Sequence, residues 1–140
     1  MNRRRRTKIL IKGSLEISRR FAEEIENLYP LRIIEEPNNG LVMVKMREGA
    51  QKSLFYLGEV LVTETKVQIN EKLGIGIVSG NKPELSYWLA VIDAAYNAEL
   101  EVTEHWKDIL EQEEIRIAED TRKYESKVLM TKVDFDTMDA

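Results

Sequence analysis

The chain has 140 residues, of which 43% are hydrophobic and 33% charged, and its formal net charge is −4. This length fits one domain, which buries roughly two-thirds of the surface of its unfolded chain. Because the chain contains no cysteine, disulfides, thiolate catalysis and cysteine-ligated zinc or iron–sulfur sites are excluded.

A basic run, Arg3 to Arg6, lies at the start of the chain. It could contact a phosphate or an acidic partner, but its terminal position favours a frayed, solvated turn. The three consecutive apolar residues that follow, Ile9 to Ile11, are too few for a signal peptide or a membrane span. With the negative net charge, these features predict a cytoplasmic protein that binds neither nucleic acid nor membrane.

Apolar residues between Thr7 and Leu28 recur mainly at helical spacing and predict two short helices. Gly13 and Ser14 offer a break and an N-cap for the second helix. The pair Tyr29-Pro30 ends it, because a residue before proline is pushed out of the helical region.

The next segment predicts a hairpin. Leu31 to Glu36 is interpreted as a strand, Pro37 to Gly40 as a tight turn, and Leu41 to Arg47 as the paired strand.

A long strand and a shorter last strand are predicted next. In the long strand, Leu54 to Val62 is almost continuously apolar, and Gly58 predicts a bulge or a close backbone approach. Its second part, Thr65 to Glu71, alternates apolar and polar residues, as in a sheet with one face exposed to solvent. In the last segment, Leu73 to Val78, Gly74 and Gly76 leave one face without side chains. Either a helix of the same chain or another subunit must pack flat against that face, and we favour the helix.

Two helices are predicted to complete the chain. Pro83 suits the first turn of one helix, whose apolar stripe covers the sheet. Thr103 can cap a long last helix. The apolar residues of this helix form a narrow stripe with approximately heptad spacing, and this small domain cannot bury the whole helix. The tail KVDFDTMDA then either contacts another subunit or folds back on the last helix. The candidate subunit interface comprises Trp106, Tyr124, Val128, Val133, Phe135 and Met138.

These elements predict an α+β fold: an antiparallel sheet of about four to five strands flanked by N-terminal helices and two C-terminal helices, the last one long. We expect residues 1–140 to form one domain with a C-terminal helical arm and tail.

The sequence offers no clear catalytic set. His105, alone at a helix start, is typical of a surface residue, and adjacent acidic pairs such as Glu113-Glu114 point to different faces. Asp93 lies beside the apolar stripe of a predicted helix, where a carboxylate needs a hydrogen-bonding or charged partner. This partner could be a backbone group, a basic residue of this chain or another subunit. The segment around Lys82 could present a helix N-terminus to an anion, although it lacks a phosphate-loop pattern.

The order of five sequence blocks resembles the PhnG family, the G subunit of the bacterial carbon–phosphorus lyase core complex. The blocks are GLVMVK (Gly40 to Lys45), LGEVLVTETKVQI (Leu57 to Ile69), LGIGIVSG (Leu73 to Gly80), AVIDAAY (Ala90 to Tyr96) and KVDFDTM (Lys132 to Met138). Residues that match the family pattern are Gly40, Gly58, Gly74, Asp93, Asp134, Phe135, Thr137 and Met138. Asp136 departs from it, because an aromatic or apolar residue is expected there.

The resemblance implies a subunit of an ATP:methylphosphonate 5-triphosphoribosyltransferase. With the H, I and L subunits it would support displacement of adenine from ATP by methylphosphonate, giving α-D-ribose 1-methylphosphonate 5-triphosphate. It also implies assembly with the H, I and J subunits, the J subunit carrying the iron–sulfur cluster and S-adenosylmethionine.

Because the family's displacement chemistry is ascribed to the I subunit, we expect no catalytic residue, cofactor or metal on this chain. Gly58, Gly74, Gly76 and Asp93 are expected to be structural. The alternative from the residues alone is a homodimeric small-ligand-binding or regulatory domain that dimerises through its last helix.

Overall fold

The computed structural model describes the backbone of residues 1–47 and 54–139 and the side chains of residues 1–45 and 58–130. Within these residues the chain forms four helices and a three-stranded sheet. In chain order the elements are α1 (Arg3–Lys12), α2 (Leu15–Leu28), β1 (Arg32–Arg47), β2 (Leu54–Ile69), β3 (Lys72–Ser79), α3 (Pro83–Asn97) and α4 (Val102–Asp139).

The two N-terminal helices form where the sequence predicts them. The side chain of Asn2 accepts a hydrogen bond from the Arg5 N–H and caps α1, and the hydroxyl of Ser14 accepts one from Glu16 and caps α2. Helix α1 begins at Arg3, so the basic run is helical. The interpretation of this run as a frayed turn is therefore wrong.

The sheet has the order β1-β2-β3 and is antiparallel throughout. The prediction of about four to five strands is wrong because an expected turn lies inside a continuous strand. Pro37 to Gly40 continues β1 instead of turning. The long strand predicted from Leu54 onwards forms as β2, which ends at Ile69. The partner of Leu41–Arg47 is consequently the first half of β2, where Leu41 faces Leu61 and Arg47 faces Leu54.

A local irregularity accommodates Pro37 in β1. The register shifts between Glu35 and Asn38, and the Asn38 amide donates hydrogen bonds to the backbone oxygens of Glu36 and Glu64. Because β1 pairs only with β2 among the described strands, the missing N–H of a proline is tolerated there. An edge strand with a bulge therefore replaces the predicted turn.

A second register shift lies near Gly58. Val44 faces Gly58 and Lys45 faces Tyr56, so β2 has one extra residue at this point. Gly58 has a φ of 152°, a backbone conformation that residues with a side chain rarely adopt. The two-residue turn between β2 and β3 consists of Asn70 and Glu71, both with positive φ, as a type I′ hairpin requires.

Helix α3 lies flat across the sheet, over the face that the glycines of β3 leave open. A Cβ atom added to Gly74 would come within 2.2 Å of the Ala90 carbonyl oxygen, and one added to Gly76 within 2.1 Å of the Ser86 oxygen. Ser86 stabilises this contact, since its hydroxyl donates a hydrogen bond to the Gly76 carbonyl oxygen and lies 2.8 Å from the Thr65 hydroxyl. The helix of the same chain, not another subunit, covers this face.

Helix α4 has two distinct halves. Trp106 and Leu110 are buried, and Trp106 stacks on Phe21 of α2 at a centroid distance of 4.3 Å. Residues 118–130 are all exposed. The helix runs on to Asp139, so the segment expected to form a separate tail continues α4 instead. Its 38 residues correspond to a length of about 57 Å.

Candidate functional site

Among the described side chains, the Asp93 carboxylate has the most polar partners, and it lies at the junction of α1, α3 and β3. Its Oδ1 accepts a hydrogen bond from Arg6 Nη2 at 2.8 Å and lies 3.1 Å from Arg3 Nε. Its Oδ2 accepts the Ile75 backbone N–H at 2.9 Å. Asp93 is only 5% exposed, so both oxygens are satisfied by partners of its own chain. The sequence left this choice of partner open.

Arg6 is equally buried, and its guanidinium carbon lies 4.1 Å from the centroid of the Tyr96 ring. Nη2 is the only atom of this guanidinium that donates a hydrogen bond to the described residues. Burial lowers the pKa of Arg6, although the charge of Asp93 opposes that effect. The fold therefore only partly compensates this buried positive charge.

The sequence contains a signal that predicts the burial of Arg6. Arg6 stands three residues before Ile9 and four before Leu10, and all three are buried on one side of α1. The run of four arginines obscures this helical spacing, because consecutive arginines are typical of a solvated turn.

A cavity of about 190 Å³ lies beside this ion pair, between α1, α3 and β3. Its polar lining residues are Arg3, Arg6, Thr7 and Asp93. Its apolar lining includes Leu10, Ile77, Leu89 and Ile92. This arrangement can hold a small anion through charge-assisted hydrogen bonds.

The acidic pairs lie on solvated surfaces, where most of the described ones form ion pairs. Glu114 accepts two hydrogen bonds from Arg5, at 2.9 and 2.6 Å, and Glu113 accepts hydrogen bonds from Arg116 and the Ser14 backbone. The hydrogen bonds from these arginines hold the pKa of both glutamates below the usual value. The Arg5–Glu114 pair joins α1 to α4, and Glu113 connects α4 to the N-cap of α2.

The remaining sequence candidates lie apart from the cavity. His105 is exposed in the first turn of α4. Lys82 is exposed at the start of α3, where its backbone N–H donates to the Thr63 hydroxyl at 2.9 Å. In the described part of the chain, no group of three or more histidine and acidic side chains could hold a metal ion.

The candidate interface residues fall into three groups. Trp106 is 1% exposed and offers almost no surface to a partner, whereas Tyr124 is 70% exposed and Val128 is also exposed. The side chains of Val133, Phe135 and Met138 lie outside the described ones. Tyr124 and Val128 are one helical turn apart and so share a face of α4.

The sequence prediction missed a second exposed apolar surface, on the distal half of the β1-β2 hairpin. We call it the hairpin arm, and its exposed apolar residues are Leu41, Val42, Met43, Val44, Val60 and Leu61. Successive side chains of a strand point to opposite faces, so the consecutive apolar residues 41–44 make both faces apolar. The motif GLVMVK indicates this surface, because its apolar residues are consecutive and do not alternate with polar residues.

Comparisons with known proteins agree with the sequence resemblance. The family described as phosphonate metabolism protein PhnG matches residues 1–139. A search of curated proteins found no match. None of the described helices is both long enough and apolar enough to cross a membrane. Because the family match spans nearly the whole sequence, the chain belongs to the PhnG family of phosphonate metabolism proteins.

Proposed function

We propose that this chain is a structural subunit of a cytoplasmic carbon–phosphorus lyase assembly. In this role it supports the transfer of a ribose 5-triphosphate group from ATP to methylphosphonate, with release of adenine. Its partners are the H, I and L subunits in the transferase step and the H, I and J subunits in the core complex. Family membership supports the metabolic role, and the surface of the molecule supports the role as a subunit.

The observation that carries the proposal is the exposed half of α4. Tyr124, Val128, Leu129 and Met130 are all exposed on a helix that extends past the core. Exposed side chains give a helix little tertiary stabilisation, and burying exposed apolar side chains against a partner is favourable. We assign this half of α4 to contact with the I subunit.

The hairpin arm supports the same role. An isolated two-stranded ribbon is at best marginally stable, and here both of its faces present apolar side chains to solvent. Exposed apolar surface of this kind marks protein interaction sites. The chain therefore presents two arms for assembly around a small packed body.

We place the chemical steps on other subunits. Displacement of adenine belongs to the I subunit, and the iron–sulfur cluster and S-adenosylmethionine belong to the J subunit. On this chain, the buried carboxylate of Asp93 is already neutralised by arginine, which suits a structural role better than proton transfer.

Co-expression tests the proposal. The chain, tagged and produced with the H, I and J subunits, is expected to capture the I subunit in a complex of defined size. The double variant Tyr124→Asp/Val128→Asp is expected to reduce this capture at least about tenfold, because it places two charges in an apolar contact. Capture is measured by affinity purification followed by size-exclusion chromatography.

Gln112→Asp provides the matched control, since position 112 is exposed on the first half of the same helix, outside the half assigned to the contact. It should leave capture unchanged. Equal capture by the wild type and the double variant would refute the assignment of α4. If the wild type captured no I subunit and formed a homodimer, the subunit role would be wrong and the ligand-binding alternative would replace it.

A further inference from the structure

The cavity beside Asp93 has a mixed lining. It is lined by two arginines and the Thr7 side chain and also by buried aliphatic side chains, including Leu10 and Ile92. Its volume of about 190 Å³ is below the 300–1,000 Å³ typical of sites for drug-sized ligands. The cavity therefore fits a small molecule that carries both a charged group and a short apolar group.

The charges at the cavity do not cancel. Arg3 and Arg6 contribute two positive charges, while Asp93 contributes one negative charge, whose two oxygens already have partners. The guanidinium of Arg6 keeps N–H groups that donate to no described residue, and the side chain of Arg3 is more than half exposed. A net positive charge and several donors thus remain for a ligand.

Burial also favours an additional anion. The guanidinium of Arg6 is buried and shares one carboxylate with Arg3, so its charge is desolvated and only partly compensated. The lowered pKa of Arg6 agrees with this desolvation, which a further oxyanion would offset. Hydrogen bonds between a guanidinium and phosphorus oxyanions are charge-assisted and directional. Two arginines that line one cavity are therefore a suitable pair of donors for a tetrahedral oxyanion.

We propose that this cavity binds a small organophosphorus oxyanion with a short apolar substituent, such as an alkylphosphonate. Arg3 and Arg6 hold the oxyanion, Thr7 adds a hydroxyl, and the aliphatic side chains of the lining contact the alkyl group. The choice of a phosphonate over other small oxyanions rests on the proposed function. The basic run at the N-terminus thereby becomes part of a binding site.

The test is a titration of the full-length chain with methylphosphonate, followed by calorimetry and by ³¹P NMR line broadening. The wild type is expected to show saturable binding. Arg3→Gln should weaken binding at least about tenfold, since it removes one charge-assisted donor. Arg4→Gln makes the same charge change at an exposed arginine outside the cavity lining and should change binding by less than about twofold.

Thr7→Val provides a second variant that keeps the charge and nearly keeps the size of the side chain, in case Arg3→Gln lowers stability. It should weaken binding severalfold. Thermal unfolding of each variant, measured without ligand, separates lost binding from lost folding. Equal losses in Arg3→Gln and Arg4→Gln would show only general attraction to a basic surface and would overturn the proposal, as would the absence of saturable binding by the wild type.

Other probes distinguish the source of the oxyanion. Inorganic phosphate lacks the alkyl group and should bind about fourfold more weakly than methylphosphonate, which is the effect of burying one methyl group. Binding of phosphate or ATP that is tighter than that of methylphosphonate would overturn the ligand class. Because these titrations use the isolated chain and assembly is measured by capture, either proposal can fail without the other.

Discussion

At the scale of single residues, Asp93 shows how a polar group is tolerated beside a core. Its carboxylate joins three elements that are distant in sequence, since Arg6 lies 87 positions and Ile75 18 positions away. Removing one partner of a buried ion pair leaves the other charge without compensation, which costs far more than the pair itself contributes.

Asp93→Asn should therefore lower the free energy of unfolding by about 3–5 kcal/mol, because Arg6 would remain charged in a buried site. Urea unfolding followed by circular dichroism measures this loss. Asp120→Asn makes the same chemical change in the exposed pair with Arg116 and should cost much less, because solvent screens that pair. Similar losses in the two variants would contradict the central role of Asp93.

At the scale of elements, the contact between α3 and β3 depends on glycine. The helix backbone lies so close to Gly74 and Gly76 that the neighbouring atoms have no room to yield. This close approach puts Asp93 within reach of the Ile75 backbone and sets one wall of the cavity. The fit of one helix to one strand thus positions the polar cluster.

Gly76→Ala should destabilise the protein by on the order of 3 kcal/mol, because the added methyl group would meet the backbone of α3. Gly40→Ala is the control, since no atom lies within 4 Å of a Cβ at that position. It should change stability by less than about 0.5 kcal/mol. Denaturant midpoints of the two variants provide the comparison, and a tolerated Gly76→Ala would contradict the close packing described here.

At the scale of the whole molecule, the packed body is distinct from the two arms. The core lies among α1, α2, α3, the first half of α4 and one face of the sheet. The second half of α4 and the hairpin arm add exposed apolar surface to it. Regions with few buried contacts contribute little to global stability, so these arms are available for assembly.

A chain truncated after Arg122 should consequently keep its body intact. We expect its free energy of unfolding to change by less than about 1 kcal/mol, because every removed side chain that the structure describes, in residues 123–130, is exposed. Its helical circular dichroism signal should fall and its capture of the I subunit should be lost. If the truncated chain did not unfold cooperatively, the second half of α4 would be part of the core instead.

Local sequence signals were sufficient to predict most of the helices and to recognise the family. Ser14, Pro83 and the glycines of β3 act on their immediate surroundings, and the helical spacing of apolar residues reports burial directly. The same is true of the family blocks, which span the chain. These features needed no knowledge of distant contacts.

Only the tertiary structure decided which distant groups meet. Pro37 lies within a strand, because the pairing of β1 with β2 outweighs the local preference of residues 37–40 for a turn. The tertiary structure also buried Trp106 against Phe21 and brought Arg6 to Asp93. Such outcomes depend on packing between residues far apart in sequence, and the energy of that packing is not encoded in the local pattern around either partner.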